Sequence, residues 1–383
     1  MYNLNRAFSF HIELTDKCNA RCVQCHRNEI LKDGTLQENP KLLQQEITID
    51  QFKAIFENYQ KQTRYITFCG NYGDPMFAKD ILEIAEYSIT NVLGGFRKNN
   101  QGGLKYFTNG GYKSKEWWGE LAKLLKPIDH IVVFAIDGLE DTNHLYRVNT
   151  RFDRIIENAT AFINNGGNAE WSFIRFGHNQ HQEEDVRKLA KDLGFKRFTA
   201  SNSQRFKDRK EIEYIWNGEK NSILRYNTEL KKATPLAVRK FVEVNHSRIS
   251  GKDGDQINAM LQKNAEKYKA DPEKTRQESV KQIDCFTEKK NEIYIDAKGY
   301  VYPCCWIGGY EYEKMARWKD IEYEPQIDGR TFNSSFEKDF RDILKEDWFE
   351  HILPDSWVNA PCQTCARHCG KNLLKTTRQS ERI

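Results

Sequence analysis

The stretch "AFSFHIELTDKCNARCVQC" (residues 7–25) poses two questions at once. Its first part, "AFSFHIEL" (7–14), is an apolar run with strand-type alternation, and predicts a β-strand. Its second part, "LTDKCNARCVQC" (14–25), carries Cys18, Cys22 and Cys25 in a C-x3-C-x2-C spacing immediately after that strand. The next cysteine in the chain is Cys69.

Outward from this stretch the pattern repeats. "ITIDQFKAIFENYQKQ" (47–62) has helical spacing at Phe52, Ile55, Phe56 and Tyr59, and "RYITF" (64–68) reads as a strand. "ILEIAEYSI" (81–89), "KEWWGELAKLL" (115–125), "FDRIIENATAFINN" (152–165) and "EDVRKLAKDLG" (184–194) read as helices. The strands "LKYFT" (104–108), "HIVVFAI" (130–136), "AEWSFIRF" (169–176) and "KRFTA" (196–200) fall between them. Such alternation predicts an α/β fold with parallel strands covered by helices. There are six units, the sixth without a clear helix, and a closed eight-unit barrel needs more chain. The expectation is therefore a partial (β/α)6 TIM-like barrel over residues 1–204.

Residues 205–284 are polar, with 18 Lys+Arg against 13 Asp+Glu. They read as a basic, helical linker or insertion, and a basic face there would suit an acidic substrate. Residues 285–383 form the third predicted region. In it "NEIYIDAKGYVYPCCW" (291–306) reads as a β-hairpin ending at Cys304 and Cys305. "SSFEKDFRDIL" (334–344) looks helical, and "PCQTCARHCG" (361–370) is a cysteine knuckle.

The composition sets limits. The chain has 383 residues, 30% of them charged, and a net charge of +4. That charge is too mild to imply nucleic acid or a membrane surface, and neither is expected as a partner. No stretch approaches the roughly 18 apolar residues of a membrane span. "MYNLNRAFSF" (1–10) lacks the features of a signal peptide. A cytoplasmic location is expected, where clustered cysteines serve as metal ligands or catalysts more often than as disulfides. The ten cysteines are indeed clustered: three near the N-terminus, Cys69, then Cys285, Cys304, Cys305, Cys362, Cys365 and Cys369.

Three thiolates can ligate three irons of a cubane [4Fe–4S] cluster, which leaves one iron without a protein ligand. An open metal position is where a substrate or cofactor binds. A loop after the first strand lies at the C-terminal mouth of the barrel, where active sites gather. A zinc site would need a fourth ligand; His26 is nearby, but consecutive residues ligate one metal poorly.

These residues resemble the radical S-adenosylmethionine (SAM) enzymes, whose signature is C-x3-C-x2-C in this place. The resemblance implies that SAM chelates the open iron. One electron from the reduced cluster then cleaves SAM to methionine and a 5′-deoxyadenosyl radical, which abstracts hydrogen from a C–H bond. Other segments match in order over roughly residues 8–202. "FCGNYGDP" (68–75) stands where the family has a Gly-Gly-Glu-Pro-like motif, and points to Gly73 and Asp74 as SAM contacts. "TNGG" (108–111) resembles the family's Thr-Asn-Gly and contributes Asn109. "AIDG" (135–138) stands for Ser-x-Asp-Gly and contributes Asp137, with Ala135 in place of the serine. Arg147 stands where the family often places an arginine near the SAM carboxylate. "RFGHNQHQ" (175–182) contributes Asn179. Gln24 departs from the aromatic residue frequent before the third cysteine.

In the second group, Cys285 and Cys304 are separated as C-x13-G-x4-C, and Cys362 and Cys365 form a C-x2-C pair. Four thiolates can fully ligate one [4Fe–4S] cluster. The spacing resembles the family's twitch domain, a short form of the SPASM domain, and implies one auxiliary cluster on Cys285, Cys304, Cys362 and Cys365. Cys305 and Cys369 are then spare. Cys305 could replace Cys304, and Cys369 is a candidate hydrogen donor to a product radical. A zinc ribbon on the same four cysteines is the competitor.

The expected function is SAM-dependent C–H oxidation of a small molecule, assisted by the auxiliary cluster and an external electron donor such as flavodoxin or ferredoxin. Twitch and SPASM relatives include an inosamine alcohol dehydrogenase, sulfatase maturases and enzymes that crosslink ribosomally made peptides. Crosslinking or epimerisation of such a peptide is the alternative. With only 17 residues before Cys18, no N-terminal leader-binding domain is expected. A non-catalytic zinc-binding module is the alternative of another class.

Overall fold

The computed structural model describes residues 2–40, 42–59, 62–93, 102–203, 205–206, 209–227, 283–309, 333–359, 365, 369 and 379–382. Six strands form the parallel centre of one sheet: β1 (Phe8–Ile12), β4 (Thr63–Phe68), β5 (Gly103–Thr108), β6 (Asp129–Ala135), β7 (Ala169–Arg175) and β8 (Arg197–Asn202). They lie side by side in chain order and every adjacent pair is parallel. Two short strands, β2 (Asn28–Ile30) and β3 (Leu36–Glu38), make a separate hairpin after the cysteine loop.

The helices between these strands are α1 (Ile49–Phe56), α2 (Ile81–Tyr87), α3 (Lys115–Leu125), the short α4 (Asn143–Tyr146), α5 (Phe152–Asn164) and α6 (Glu183–Asp192). The predicted α/β, partial-barrel architecture is therefore present. Local chemistry explains the element ends. Thr48 caps α1 and Gln51 returns the bond, a capping box that fixes where the helix starts. The apolar stripe of α1, Phe52, Ile55 and Phe56, is buried, and Phe56 meets Phe10 of β1 edge-on at 4.8 Å. Burial of one such ring is worth about 2–3 kcal/mol.

Two departures from the sequence reading matter for the site. The region expected to be a helical linker begins instead with a β-hairpin, β9 (Glu211–Trp216) and β10 (Glu219–Leu224). Its cause is local: Asn217 and Gly218 both have positive φ, 51° and 82°, as a two-residue hairpin turn requires. Ile212, Tyr214 and Ile223 then share a buried face. Residues 228–282 of that region lie outside the described residues.

The second departure concerns the predicted boundary at 285. The hairpin of β11 (Glu292–Ile295) and β12 (Val301–Tyr302) does not stand apart from the barrel sheet. β11 pairs in parallel with β1, from Ser9 opposite Glu292 to Ile12 opposite Ile295. This removes β1 as an exposed sheet edge. β13 (Gln379–Arg382) pairs antiparallel with β8 at the other end. The chain divides into two compact units: Met1–Tyr226 with Thr287–Glu350 and Arg378–Ile383, and Asn227–Phe286 with His351–Thr377. The helix expected over 334–344 covers Phe340–Leu344. Among the described residues no helix is long and apolar enough to cross a membrane.

Candidate active site at the three-cysteine loop

The cysteine loop leaves β1 at its C-terminal end and is pinned on both sides. Arg21 N donates to Val148 O at 2.8 Å and Val23 N to Tyr146 O at 3.3 Å, so the segment after α4 runs alongside it. Arg27 is buried and donates through Nε to Tyr72 O and through Nη2 to Asp16 O, both at 2.8 Å, and pairs with Glu38. Underneath, Cys22, Val23, Tyr146, Phe176, Phe206 and Tyr214 belong to one apolar cluster, against which Cys18 and Cys25 pack. The β9–β10 hairpin thus covers the loop. Tyr214 donates its hydroxyl to Leu145 O at 2.7 Å, and Arg205 Nη1 donates to Gln24 O at 2.7 Å. Gln24 takes Ser203 Oγ at its side-chain oxygen.

Each thiol has distinct neighbours. Cys18 Sγ accepts from Ala20 N at 3.4 Å and from Asn109 Nδ2 at 3.5 Å. Cys22 Sγ accepts from Arg147 Nη1 at 3.6 Å, and Arg147 Nε donates to Asp137 Oδ2 at 2.6 Å. Cys25 Sγ lies 4.0 Å from Asn71 O. Burial pushes the Cys22 thiol up to about 11, with Arg147 pulling it down. Burial, reinforced by the Asp74 charge, raises Cys18 well above the usual thiol range. Metal loading must displace these protons.

The residues singled out from the sequence converge here, though in different ways. Asp74 is buried and accepts from Thr108 Oγ1 at 3.0 Å, Asn109 N at 2.8 Å and Met76 N at 3.1 Å. Burial raises its carboxyl against the pull of those bonds. Asp137, fully buried, accepts from Ile174 N at 2.5 Å besides Arg147. Asn179, equally buried, donates to Asp137 O and Ile174 O and accepts from Phe176 N. Its amide is fully engaged within the protein, so Asn179 ties the ends of β6 and β7 together. Asn109 and Arg147 are the two that reach the sulfurs. Gly73 has no room for a side chain: a Cβ there would lie 1.9 Å from Thr15 O.

Sequence reasoning missed Glu13. It is fully buried at the end of β1, and its carboxylate takes the backbone N–H groups of Asn71, Tyr72 and Gly73. Burial pushes its carboxyl up to about 7, opposed by the bonds from Tyr72, Cys69, Gly73 and Asn71. A carboxylate inside an otherwise apolar strand run was the available signal. The β9–β10 cover was also missed, although Asn-Gly between apolar alternations is a hairpin signature.

Residues 12–193, a little under half of the chain, match the model of the Radical SAM superfamily. Among solved structures, Streptococcus suis SuiB bound to S-adenosylmethionine resembles the chain at 13% identity and a TM-score of 0.51, over 94% of this chain and 72% of that one. The anSMEcpe protein with bound AdoMet also resembles it at 13% and 0.51, over 92% and 81%. SuiB bound to the precursor peptide SuiA matches at 14% and 0.50, over 95% and 71%. At such identities the likeness is one of fold. No curated protein matches the chain.

Cys18, Cys22 and Cys25 offer three thiols within one short loop, a donor set that suits an iron–sulfur cubane, in which each thiolate takes a different iron. Arg147 and Asn109 offer N–H donors to sulfurs that carry negative charge once they ligate.

The second cysteine group is divided. Cys304 and Cys305 belong to the first compact unit, where Cys304 precedes the short helix Cys305–Gly308 and its carbonyl accepts from Gly308 N at 3.0 Å. Cys285, Cys365 and Cys369 belong to the second. Cys285 and Cys365 are buried, and Cys369 O accepts from Asp284 N at 2.7 Å. Cys362 lies outside the described residues.

Proposed function

We propose that the protein is a radical SAM enzyme that oxidises a C–H bond of its substrate. The observation that carries this reading is the single eight-residue loop bearing Cys18, Cys22 and Cys25 at the barrel mouth, with N–H donors aimed at two of the three sulfurs. A [4Fe–4S] cluster bound there would supply the electron that cleaves SAM and so generates the hydrogen-abstracting radical. The chain's own residues hold and shelter that chemistry. Cys18, Cys22 and Cys25 are the ligands. Asn109 and Arg147 stabilise the charge on Cys18 and Cys22, and Asp137 fixes the Arg147 fork. Asp74, through Thr108 and the Asn109 backbone, orients Asn109. Gly73 lets the loop approach Thr15 closely. The β9–β10 hairpin excludes water from beneath the loop.

In the same proposal Cys285, Cys304, Cys362 and Cys365 would ligate one auxiliary [4Fe–4S] cluster, which would take up the electron of the substrate radical while its proton passes to solvent. Cys305 and Cys369 stay outside its ligand set; hydrogen return from Cys369 would be redox-neutral and belongs to the epimerisation alternative. The electron for the first cluster comes from a flavodoxin- or ferredoxin-type donor. A small molecule is the substrate in the first reading. A second reading, modification of a ribosomally made peptide, draws support from the fold likeness to SuiB, whose structure with the precursor peptide SuiA matches almost the whole chain.

The test is direct. Protein purified without air should contain about eight irons with acid-labile sulfide, and should release 5′-deoxyadenosine on incubation with SAM and dithionite. Zinc without labile sulfide would overturn the proposal in favour of a binding module.

A further inference from the structure

Three consecutive backbone N–H groups, from Asn71, Tyr72 and Gly73, point at one carboxylate. Glu13 Oε1 accepts from Tyr72 N at 2.9 Å and Gly73 N at 2.8 Å; Oε2 accepts from Asn71 N and Cys69 Sγ, both at 3.1 Å. Tyr294 Oη of β11 lies 3.5 Å from Oε2. Successive N–H groups arranged in this way make a concavity that ordinarily binds an external anion. Here the protein's own fully buried side chain fills it.

The consequence follows from the planarity of the peptide unit. With the N–H groups of 71–73 turned to Glu13, the carbonyls between them face elsewhere. Asn71 O lies 4.0 Å from Cys25 Sγ, and Tyr72 O accepts from Arg27 Nε at 2.8 Å. The far end of the loop is held by Asp74 N donating to Lys17 O at 2.8 Å, with the Gly73 backbone against Thr15 O. On the outer side Tyr72 Oη donates to Gly309 O at 3.0 Å. Both strand ends and the cysteine loop are therefore referenced to one carboxylate.

We propose that Glu13 is the positioning residue of the cofactor loop: its carboxylate clamps the amides of residues 71–73 and so turns that loop's carbonyls toward the three-cysteine site, where SAM is held. The inference rests on the radical SAM reading of that site. Glu13 itself touches neither SAM nor the reacting atoms.

Glu13→Gln is the informative variant, because it keeps the shape but replaces one acceptor oxygen by an NH2 group that cannot accept. Hydrogen exchange on the cofactor-free chain should show the amides of 71–73 exchanging at least about 10-fold faster than in the wild type. In the reconstituted enzyme the KM for SAM should rise about 10-fold while kcat for SAM cleavage, iron content and Tm stay near wild type, a split that general loss of structure does not produce. Glu13→Ala should enlarge both effects; if it does not fold, the Gln variant carries the test alone. Unchanged exchange at 71–73, or faster exchange with an unchanged KM, overturns the clamp. If the wild type binds no SAM, as judged by the electron paramagnetic resonance of its reduced cluster, the proposed function falls and the clamp's purpose with it. A wild type that binds SAM beside an unaffected variant sinks this inference alone.

Discussion

Cys18, Cys22 and Cys25 occupy eight consecutive residues, whereas Cys285, Cys304, Cys362 and Cys365 span about 80, and Cys304 belongs to a different compact unit from Cys285 and Cys365. Closing a chain segment ten times longer costs about 2 kcal/mol more in entropy. A short loop can hold its ligands together by its own turns, as the Cys25 N to Cys22 O bond does at 3.0 Å. The dispersed set depends on strands, helices and pairings made elsewhere. The first group also has a built environment: donors to its sulfurs, a buried ion pair behind Arg147, and an apolar cover. Spacing is therefore a strong statement for the first group. For the second it specifies the count of thiols better than their grouping.

The largest effect that separates the two groups comes from the first. Cys18→Ala, Cys22→Ala or Cys25→Ala should reduce 5′-deoxyadenosine release to background and lower iron by about four per chain. Retention of release in any of them would break the assignment. Cys304→Ala and Cys365→Ala should instead leave SAM cleavage in place, remove about four irons and abolish the oxidised product, as read by iron analysis and mass spectrometry. Cys305→Ala should do neither; if it behaves as Cys304→Ala does, the ligand is Cys305 and the second group must be redrawn.

Two predictions sharpen the account of the built environment. Arg147→Gln removes a charged donor from Cys22 and leaves Asp137 buried without its partner. SAM cleavage should fall by about 10- to 100-fold, the scale of a hydrogen bond to a charged group. Arg147→Lys should recover only part of this, since lysine lacks the planar fork. His178, stacked on Phe176 beside the loop, gives a pH test. Burial, with help from His144 and His181, pushes it down to about 4, whereas the unfolded chain titrates near 6.5. Between these values the unfolded state binds more protons. Stability should therefore fall as pH drops from 6.5 to 4, by about 2 kcal/mol from this residue. His178→Asn should flatten that slope in urea titrations at successive pH values.

The smallest expected effect tests the cover. Tyr214→Phe deletes the bond to Leu145 O and should cost about 1 kcal/mol in stability while leaving iron content intact. Loss of the cluster in this variant would make the hairpin part of the site itself.

Much of this was legible in the chain. The six parallel strands and their helices were readable because a buried parallel strand writes a local apolar run, and a covering helix writes a 3.6-residue stripe. The three-cysteine loop was readable because its three thiols are near neighbours in sequence. The radical SAM resemblance named Asp74, Asn109, Asp137, Arg147 and Asn179 as a group, and they do converge at the strand ends. Their division of labour was not legible. Whether a polar side chain faces a sulfur, as Arg147 does, or spends its bonds on the backbone, as Asn179 does, depends on orientations set by packing between strands.

The sequence by itself determined the alternation, the place of the loop after the first strand, and the thiols available for ligation, since each is a statement about residues close in the chain. Only the tertiary structure decided that β11 pairs with β1, that a hairpin from the basic region covers the cysteine loop, and that Glu13 holds the amides of 71–73 some 60 positions away. Those contacts join segments distant in sequence. They form because burying apolar faces and satisfying buried N–H groups both have to be solved for the whole fold at once.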